Sequence, residues 1–240
     1  MPATASRPLR PATPVHLDAP TPTELAAIVR SIVRVLADSN RTMDIVKAEE
    51  LSAKAQVRYL RDRVLEATPE GRELLRDRPE LSATDVDALR KLPDGTLGRE
   101  VARFLDRHGL DYHFDDAAEV YLQDPEEAYV LRRYRRTHDL FHVLLDLGIT
   151  GHEEVLVHTF TLAQMGMPSS VAITLLGAVK HMVLERRWDC LSRGLREAFD
   201  AGRRASPLLA VRWESLWDAP LDDVRARYGI EPVRGYAGAA

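Results

Sequence analysis

Asp124-Pro-Glu-Glu-Ala-Tyr-Val-Leu-Arg-Arg-Tyr-Arg-Arg-Thr-His-Asp-Leu-Phe-His142 reads as a helix that starts at Asp124-Pro125 and carries a His-Asp motif. Asp124 is of a type that caps helix starts, and Pro125 suits the first turn, where a missing N–H costs nothing. Glu126 and Glu127 lie against the positive end of the helix dipole. Gly148 and Gly151 then bracket a tight connection. A second helix is expected over 152–164, and Met165-Gly-Met-Pro168 breaks it.

Outward from that pair, nearly every segment carries helical periodicity. Thr23 is read as the cap of a stretch with Leu25, Ile28, Val29, Ile32, Val33 and Leu36 at helical spacing. Further helices are expected over 51–66, from Thr68-Pro69 to about Arg76, and from Thr96 to Gly109. Residues 111–123 could hold a short strand or hairpin around 119–122 but read mainly as loop. Helices should then cover 169–188, 191–204 and 208–217, with a short last one opened by Asp218-Ala-Pro220 and closed by Gly229. The first 22 residues hold six prolines and no apolar core of a secretory signal, and the prolines oppose a transit-type amphipathic helix. The expectation is therefore all-α: a single mainly helical domain over 23–235, behind a disordered Pro-rich tail over 1–22.

Bulk properties set wide bounds. The 240 residues are 45% hydrophobic and 29% charged, ordinary for a globular domain. A net charge of −4 provides no global field for nucleic acid, so no nucleic-acid partner is expected. One cysteine, Cys190, excludes an internal disulfide and suits a reducing compartment; it reads as a buried helix residue. The longest apolar run, within 171–184, is interrupted by Lys180 and His181 and is shorter than the roughly 20 residues a membrane span needs.

Chemistry concentrates at His138, Asp139 and His142. The two histidines, four apart, stack on one helix face, and Asp139 lies about 60–100° round the helix from them. Glu154 could not join them on a continuous helix, because twelve residues rise roughly 18 Å. A reversal at the glycine pair brings it back as a fourth ligand. Imidazole and carboxylate suit a divalent cation such as zinc, manganese or iron, and the absence of thiolates argues against a closed structural zinc site. Such a site with open positions could act as a Lewis acid or activate water. The plainer alternative is a core histidine bonded to an acid. No organic cofactor is evident. Of the following helix's His152 and His158, one could face the site; His181 reads as core. Among the preceding arginines, Arg135 could pair with Asp139, while Arg132, Arg133 and Arg136 are candidates for a substrate carboxylate or phosphate. A solvated basic face is the alternative.

The run Arg132 through His142, eleven residues, then Glu154, resembles the signature of the coenzyme Q biosynthesis protein 4 family. Leu92-Pro-Asp-Gly-Thr-Leu-Gly98, Gln164-Met-Gly-Met-Pro168, Trp213-Glu214, Pro220-Leu-Asp-Asp-Val-Arg225 and Tyr228-Gly-Ile-Glu-Pro232 fit the same pattern. The resemblance covers 92–232 well and the earlier helices loosely. It implies an all-helical fold, a metal held by His138, Asp139, His142 and Glu154, and ubiquinone biosynthesis on prenylated aromatic intermediates. The implied chemistry is oxidative decarboxylation at ring carbon 1. Other quinone-biosynthesis enzymes, peripheral membrane contact and a homodimer are the implied associations. By the same analogy Val171, Leu175 and Val179 are candidates for lining a lipid-tail tunnel, where ordinary core is the alternative. With no presequence evident, the expectation is a bacterial protein in the cytoplasm, peripheral at most to the inner face of the membrane.

Two rivals remain at this level. One is a non-catalytic prenyl-lipid-binding scaffold with a structural metal. The other is an HD-type phosphohydrolase, in which His108 or His113 would supply an upstream ligand, although the surrounding motifs do not resemble that family.

Overall fold

Ten helices, with π-helical and 3-10 turns between them, make up the described part of a computed structural model, which comprises residues 7–37, 42–111, 121–184 and 188–234. They are α1 (Pro22–Ala37), α2 (Thr42–Leu60), α3 (Pro69–Asp77), α4 (Val86–Leu89), α5 (Leu97–His108), α6 (Pro125–Leu145), α7 (Gly151–Met165), α8 (Pro168–Val179), α9 (Trp188–Arg204) and α10 (Leu221–Tyr228). No strand occurs among the described residues, and no helix there is long and apolar enough to cross a membrane. The all-α expectation holds.

The caps follow the side-chain chemistry closely. Thr68 and Thr96 accept from the backbone N–H of Gly71 and Arg99, and Asp124 accepts from Glu126 at 2.8 Å. Gly109 and Gly229 end α5 and α10 in the left-handed conformation. At α1 the cap is Thr21 rather than Thr23: Thr21 Oγ1 accepts from Glu24 N, and Glu24 reaches back to Thr21 N. That reciprocal box puts Pro22 at the first helical position, where it fits best.

Other boundaries differ for identifiable reasons. Helix α2 begins at Thr42, nine residues before the expected start, and runs on through a π turn at Arg61–Leu65. The expected helix over 208–217 is instead two 3-10 turns, Leu208–Ala210 and Trp213–Ser215. Fully buried Trp213 and Leu208 are held there by the packing of neighbouring elements, which overrides the segment's own helical preference. The expected loop over 111–123 falls largely outside the described residues, as does the side chain of Cys190.

Motifs far apart in sequence meet in one joint. Leu97 N and Gly98 N donate to the carbonyls of Ala219 and Trp217 at 2.9 and 2.8 Å, and Leu221 N donates to Gly95 O at 2.8 Å. Gly98 is required there by space: a Cβ would come within 2.9 Å of the Trp217 carbonyl oxygen and 2.7 Å of Leu92. Gln164 fixes a second joint, donating to the Gly202 carbonyl and accepting from Leu208 N at 3.0 Å. Around these joints α7 packs against α8 and α9, α1 against α2, and Tyr129, Phe141, Phe160 and Trp213 fill the core.

Residues 7–21 of the proline-rich segment have no regular secondary structure and lie against the body. Arg10 N donates to Arg203 O at 3.0 Å and Thr13 N to Ala163 O at 3.1 Å. Buried Gln56 accepts from His16 N at 2.6 Å and donates to the carbonyls of Pro14 and Met165. One side chain thus ties the strap, α2 and the end of α7 together. Gln56→Ala is expected to cost about 2–4 kcal/mol, because it strands buried backbone groups. Urea unfolding checks the loss, and limited proteolysis should show earlier cleavage between residues 7 and 18; an unchanged midpoint would contradict this role for Gln56.

Candidate metal centre

Helix α6 runs 21 residues and delivers His138 and His142 one turn apart near its C-terminus. The chain then reverses, but not in the way the glycine pair suggests. Asp146 adopts the left-handed conformation at φ 59°, and neither Gly148 nor Gly151 has a positive φ. The glycines are there for room: a Cβ on Gly148 would lie 2.8 Å from Glu153 Oε2, and one on Gly151 would lie 3.2 Å from the His181 ring. Glu153 is the clamp of the turn, accepting from Gly148 N at 2.9 Å and Thr150 N at 3.0 Å in a capping box. With Glu153 so committed, the next residue, Glu154, points back to α6.

His138 Nε2 stands 3.2 Å from Glu154 Oε2 and 3.1 Å from His142 Nε2, and His142 Nε2 stands 3.5 Å from Glu154 Oε1. The three ligand-type atoms fit within 4.8 Å of one another. His142, buried at 1% exposure, donates from Nδ1 to the Gly148 carbonyl at 2.8 Å. That bond leaves the Nε2 lone pair of His142 facing the cluster, as metal-ligating histidines are usually oriented. Two imidazole nitrogens and a carboxylate converging on one point suit a divalent cation by donor set and spacing.

The electrostatics agree. Burial works against charge on His138, but the hydrogen bond and charge of Glu154, with Asp139 and Glu49 behind it, outweigh burial and leave its pKa above the ordinary value. Burial likewise raises Glu154, yet its bonds to His138 and His142 hold it well below the usual carboxylate range. A proton on His138 and a divalent cation therefore compete for the same place.

Of the four expected ligands, the structure brings together His138, His142 and Glu154. Asp139 is not among the converging atoms. It lies within the field of both histidines, half-buried, and burial raises its pKa against their opposing charges. The following helix contributes His158 and not His152. The His158 ring is 4.9 Å from that of His138, its Nδ1 is 3.2 Å from Ser170 Oγ, and burial, then the charge of His138, push its pKa down to about 3. His152 turns to Thr150 and, as expected of a core residue, buried His181 packs beside it. His108 is separated from the cluster by Phe104, whose ring stacks on His142 at 5.4 Å, and His113 lies outside the described residues. A cavity of about 340 Å³ reaches His142, Phe104 and Gly148 from that side, with Arg107 and Arg225 on its wall.

The arginines separate by partner. Arg135 pairs with Glu49 of α2 at 2.8 Å instead of Asp139; Glu49 had no recognisable pattern in the sequence. Arg132 pairs with Glu80 at 3.1 Å. Arg133, buried, pairs with Glu214 at 2.8 Å and donates to the carbonyls of Val211 and Leu209, so it braces the 3-10 segment rather than facing the cluster. Arg136 lies within the field of Asp139. Arg133→Met is expected to destabilise by about 3–5 kcal/mol, since Glu214 and two carbonyls lose a buried partner. Thermal melts measure that, and unchanged zinc uptake at low temperature would separate bracing from ligand binding.

The lipid-tail candidates are not enclosed. Val171 is half-buried, but Leu175 and Val179 are 62% and 59% exposed, and Leu176 is 70% exposed. Helix α8 therefore presents an apolar outer face, which corrects both the tunnel and the ordinary-core expectation for these two positions.

A family model described as coenzyme Q (ubiquinone) biosynthesis protein Coq4 matches residues 14–234. A ubiquinone biosynthesis protein COQ4 homolog, mitochondrial, of Danio rerio is 36% identical over 221 residues, covering 91% of this chain and 80% of that protein. The mitochondrial ubiquinone biosynthesis protein COQ4 of Coprinopsis cinerea is 32% identical over 197 residues, covering 81% and 67%. A crystal structure from Nostoc punctiforme, provisionally described as a ubiquinone biosynthesis protein, superimposes with a TM-score of 0.69. Its identity is 24%, with 86% of this chain and 96% of that one covered, which speaks for a shared fold.

Proposed function

This chain belongs to the coenzyme Q (ubiquinone) biosynthesis protein Coq4 family, and from that premise we propose that it catalyses a metal-dependent step on a prenylated hydroxybenzoate. The step is oxidative decarboxylation at ring carbon 1: the carboxylate leaves as carbon dioxide, a hydroxyl whose oxygen comes from water takes its place, one proton is released, and two electrons pass to an external oxidant. The observation that carries the reading is the convergence of His138, His142 and Glu154, with the His142 tautomer fixed on Gly148 O.

A divalent cation of the zinc, manganese or iron type, held by these three residues, would supply Lewis acidity toward oxygen substituents on the ring. Around it, His142 is locked by Gly148 and by the Phe104 face, so its lone pair needs no reorganisation. His158, neutral down to about pH 3, adds no positive charge to compete with the cation. Asp139 stands behind His138 and favours a cation at the cluster by its charge when ionised. No organic cofactor enters this reading.

A second reading has its own support. The exposed apolar face of α8, with Leu175, Leu176 and Val179, suits a prenyl-lipid-binding or scaffolding role among quinone-biosynthesis enzymes, with peripheral membrane contact or a homodimer as the arrangement. Complementation of a strain lacking the corresponding step separates the two. Under the catalytic reading, wild type restores quinone and a folded His142→Ala variant does not. Restoration by a folded, metal-free His142→Ala protein would favour the scaffold. Elemental analysis of the purified protein, with turnover of a prenylated 4-hydroxybenzoate, tests the metal and the reaction directly.

A further inference from the structure

Arg135 of α6 carries two buried guanidinium nitrogens that no other group among the described residues satisfies. Its Nε donates to Glu49 Oε2 at 2.8 Å, and the two side chains are 11% and 15% exposed. Both Nη1 and Nη2 are buried and have no hydrogen-bond partner. A guanidinium carries five N–H donors in a planar fork, and leaving buried donors of a charged group unmade is costly. In native interiors such donors are completed by ordered water, an ion or a bound ligand.

Its position says what completes it. Arg135 precedes His138 by three residues on α6, so the two side chains share a face with Cβ atoms about 5–6 Å apart. Glu49, the residue that orients the fork through Nε, also acts electrostatically on His138. The largely buried Arg135–Glu49 pair thus lies one helical turn from His138, the first ligand of the metal centre. Glu49 occupies only the Nε side, which leaves the Nη edge for a planar oxyanion, the geometry this fork matches best. Arg132 and Arg133 are committed to Glu80 and Glu214.

Resting on the functional reading above, we propose that Arg135, aimed by Glu49, binds the carboxylate of the aromatic acid through Nη1 and Nη2, beside the cation held by His138, His142 and Glu154. Substrate selection then depends on the carboxylate itself: a ring with a neutral substituent at that carbon leaves the buried guanidinium unsatisfied and binds weakly. Discrimination against an analogue that leaves a buried partner unpaired is strong for this reason.

Calorimetric titration of the zinc-loaded full-length protein with 3-prenyl-4-hydroxybenzoate and with 3-prenyl-4-hydroxybenzamide tests this. Wild type is expected to prefer the acid. Arg135→Met should lose about 10- to 100-fold in affinity for the acid, the range of a charge-assisted hydrogen-bonded contact, with little change for the amide. Arg135→Lys should recover part of the loss, because it keeps the charge without the fork. Removing the arginine alone strands Glu49, so Glu49→Gln/Arg135→Met is measured alongside as the folded control, with melting temperature and zinc content recorded. Wild-type preference for the acid retained in either folded, zinc-loaded variant overturns the role of Arg135. A wild-type protein that takes up no metal, or binds neither ring, overturns the functional reading and this inference with it.

Discussion

Glu154→Gln and His142→Ala are each expected to weaken zinc binding by at least about 100-fold. Structural zinc sites in small proteins bind with roughly 10–16 kcal/mol, so one of three or four ligands accounts for a few kcal/mol, and each 1.4 kcal/mol is a factor of ten. The two variants fail differently. Glu154→Gln nearly conserves volume and keeps a hydrogen-bonding group near His138 Nε2, but it removes the negative charge that sits 3.2 and 3.5 Å from the two histidines. Its fold should survive, and metal loss can be read without ambiguity. His142→Ala also opens a cavity under Phe104 and strands the Gly148 carbonyl, so a stability loss of about 2–4 kcal/mol accompanies the loss of metal. Chelator competition on the purified proteins measures both. Wild-type zinc affinity in folded Glu154→Gln would remove that carboxylate from the site.

The same site explains what the sequence could and could not convey. His138 and His142 are four apart on a helix with a recognisable start, so their common face follows from helical geometry alone. The return of Glu154 was also legible, but for the wrong local reason. Glycine at 148 and 151 suggested a conformational turn, whereas Asp146 takes the left-handed position and the glycines make room for Glu153 and His181. Both uses of glycine leave the same letter in the sequence. His158 was partly legible, lying four residues after Glu154 and hence on its face. Choosing it over His152 needed the positions of Ser170 and His181.

Long-range partners were the hidden part. Nothing in Arg132-Arg-Tyr-Arg-Arg136 distinguishes the arginine that braces Leu209 and Val211 from the one that pairs with Glu49, because the difference lies in elements 76 and 86 residues away. The 3-10 turns at Leu208–Ala210 and Trp213–Ser215 were missed for a related cause: local propensity favours helix there, and burial of Trp213 imposes another path. The outer face of α8 shows the converse. Apolar letters at helical spacing imply burial, yet Leu175, Leu176 and Val179 face outward. A one-chain sequence does not encode which face has no neighbour.

Acidification should release the metal, and the direction follows from the site's own charges. In the metal-free fold His138 has a raised pKa, so its stabilising contact with Glu154 is fully present below the ordinary histidine value of about 6.5 and is lost as pH rises through the folded value. Glu154, depressed, contributes above the ordinary carboxylate range and loses that contribution as pH falls through its folded pKa. Between those limits the proton-bridged pair is the competitor a cation must displace. Below the His138 pKa, metal affinity should therefore fall about tenfold per pH unit for each proton displaced. His158 does not join the competition, because it stays neutral to about 3. Asp139 acts in the same direction as His138, since protonating it removes a negative charge beside the cluster. Zinc affinity by chelator competition at pH 6 and pH 5 should thus differ by at least about tenfold. A pH-independent affinity over that interval would mean that the cation is held by groups other than these histidines.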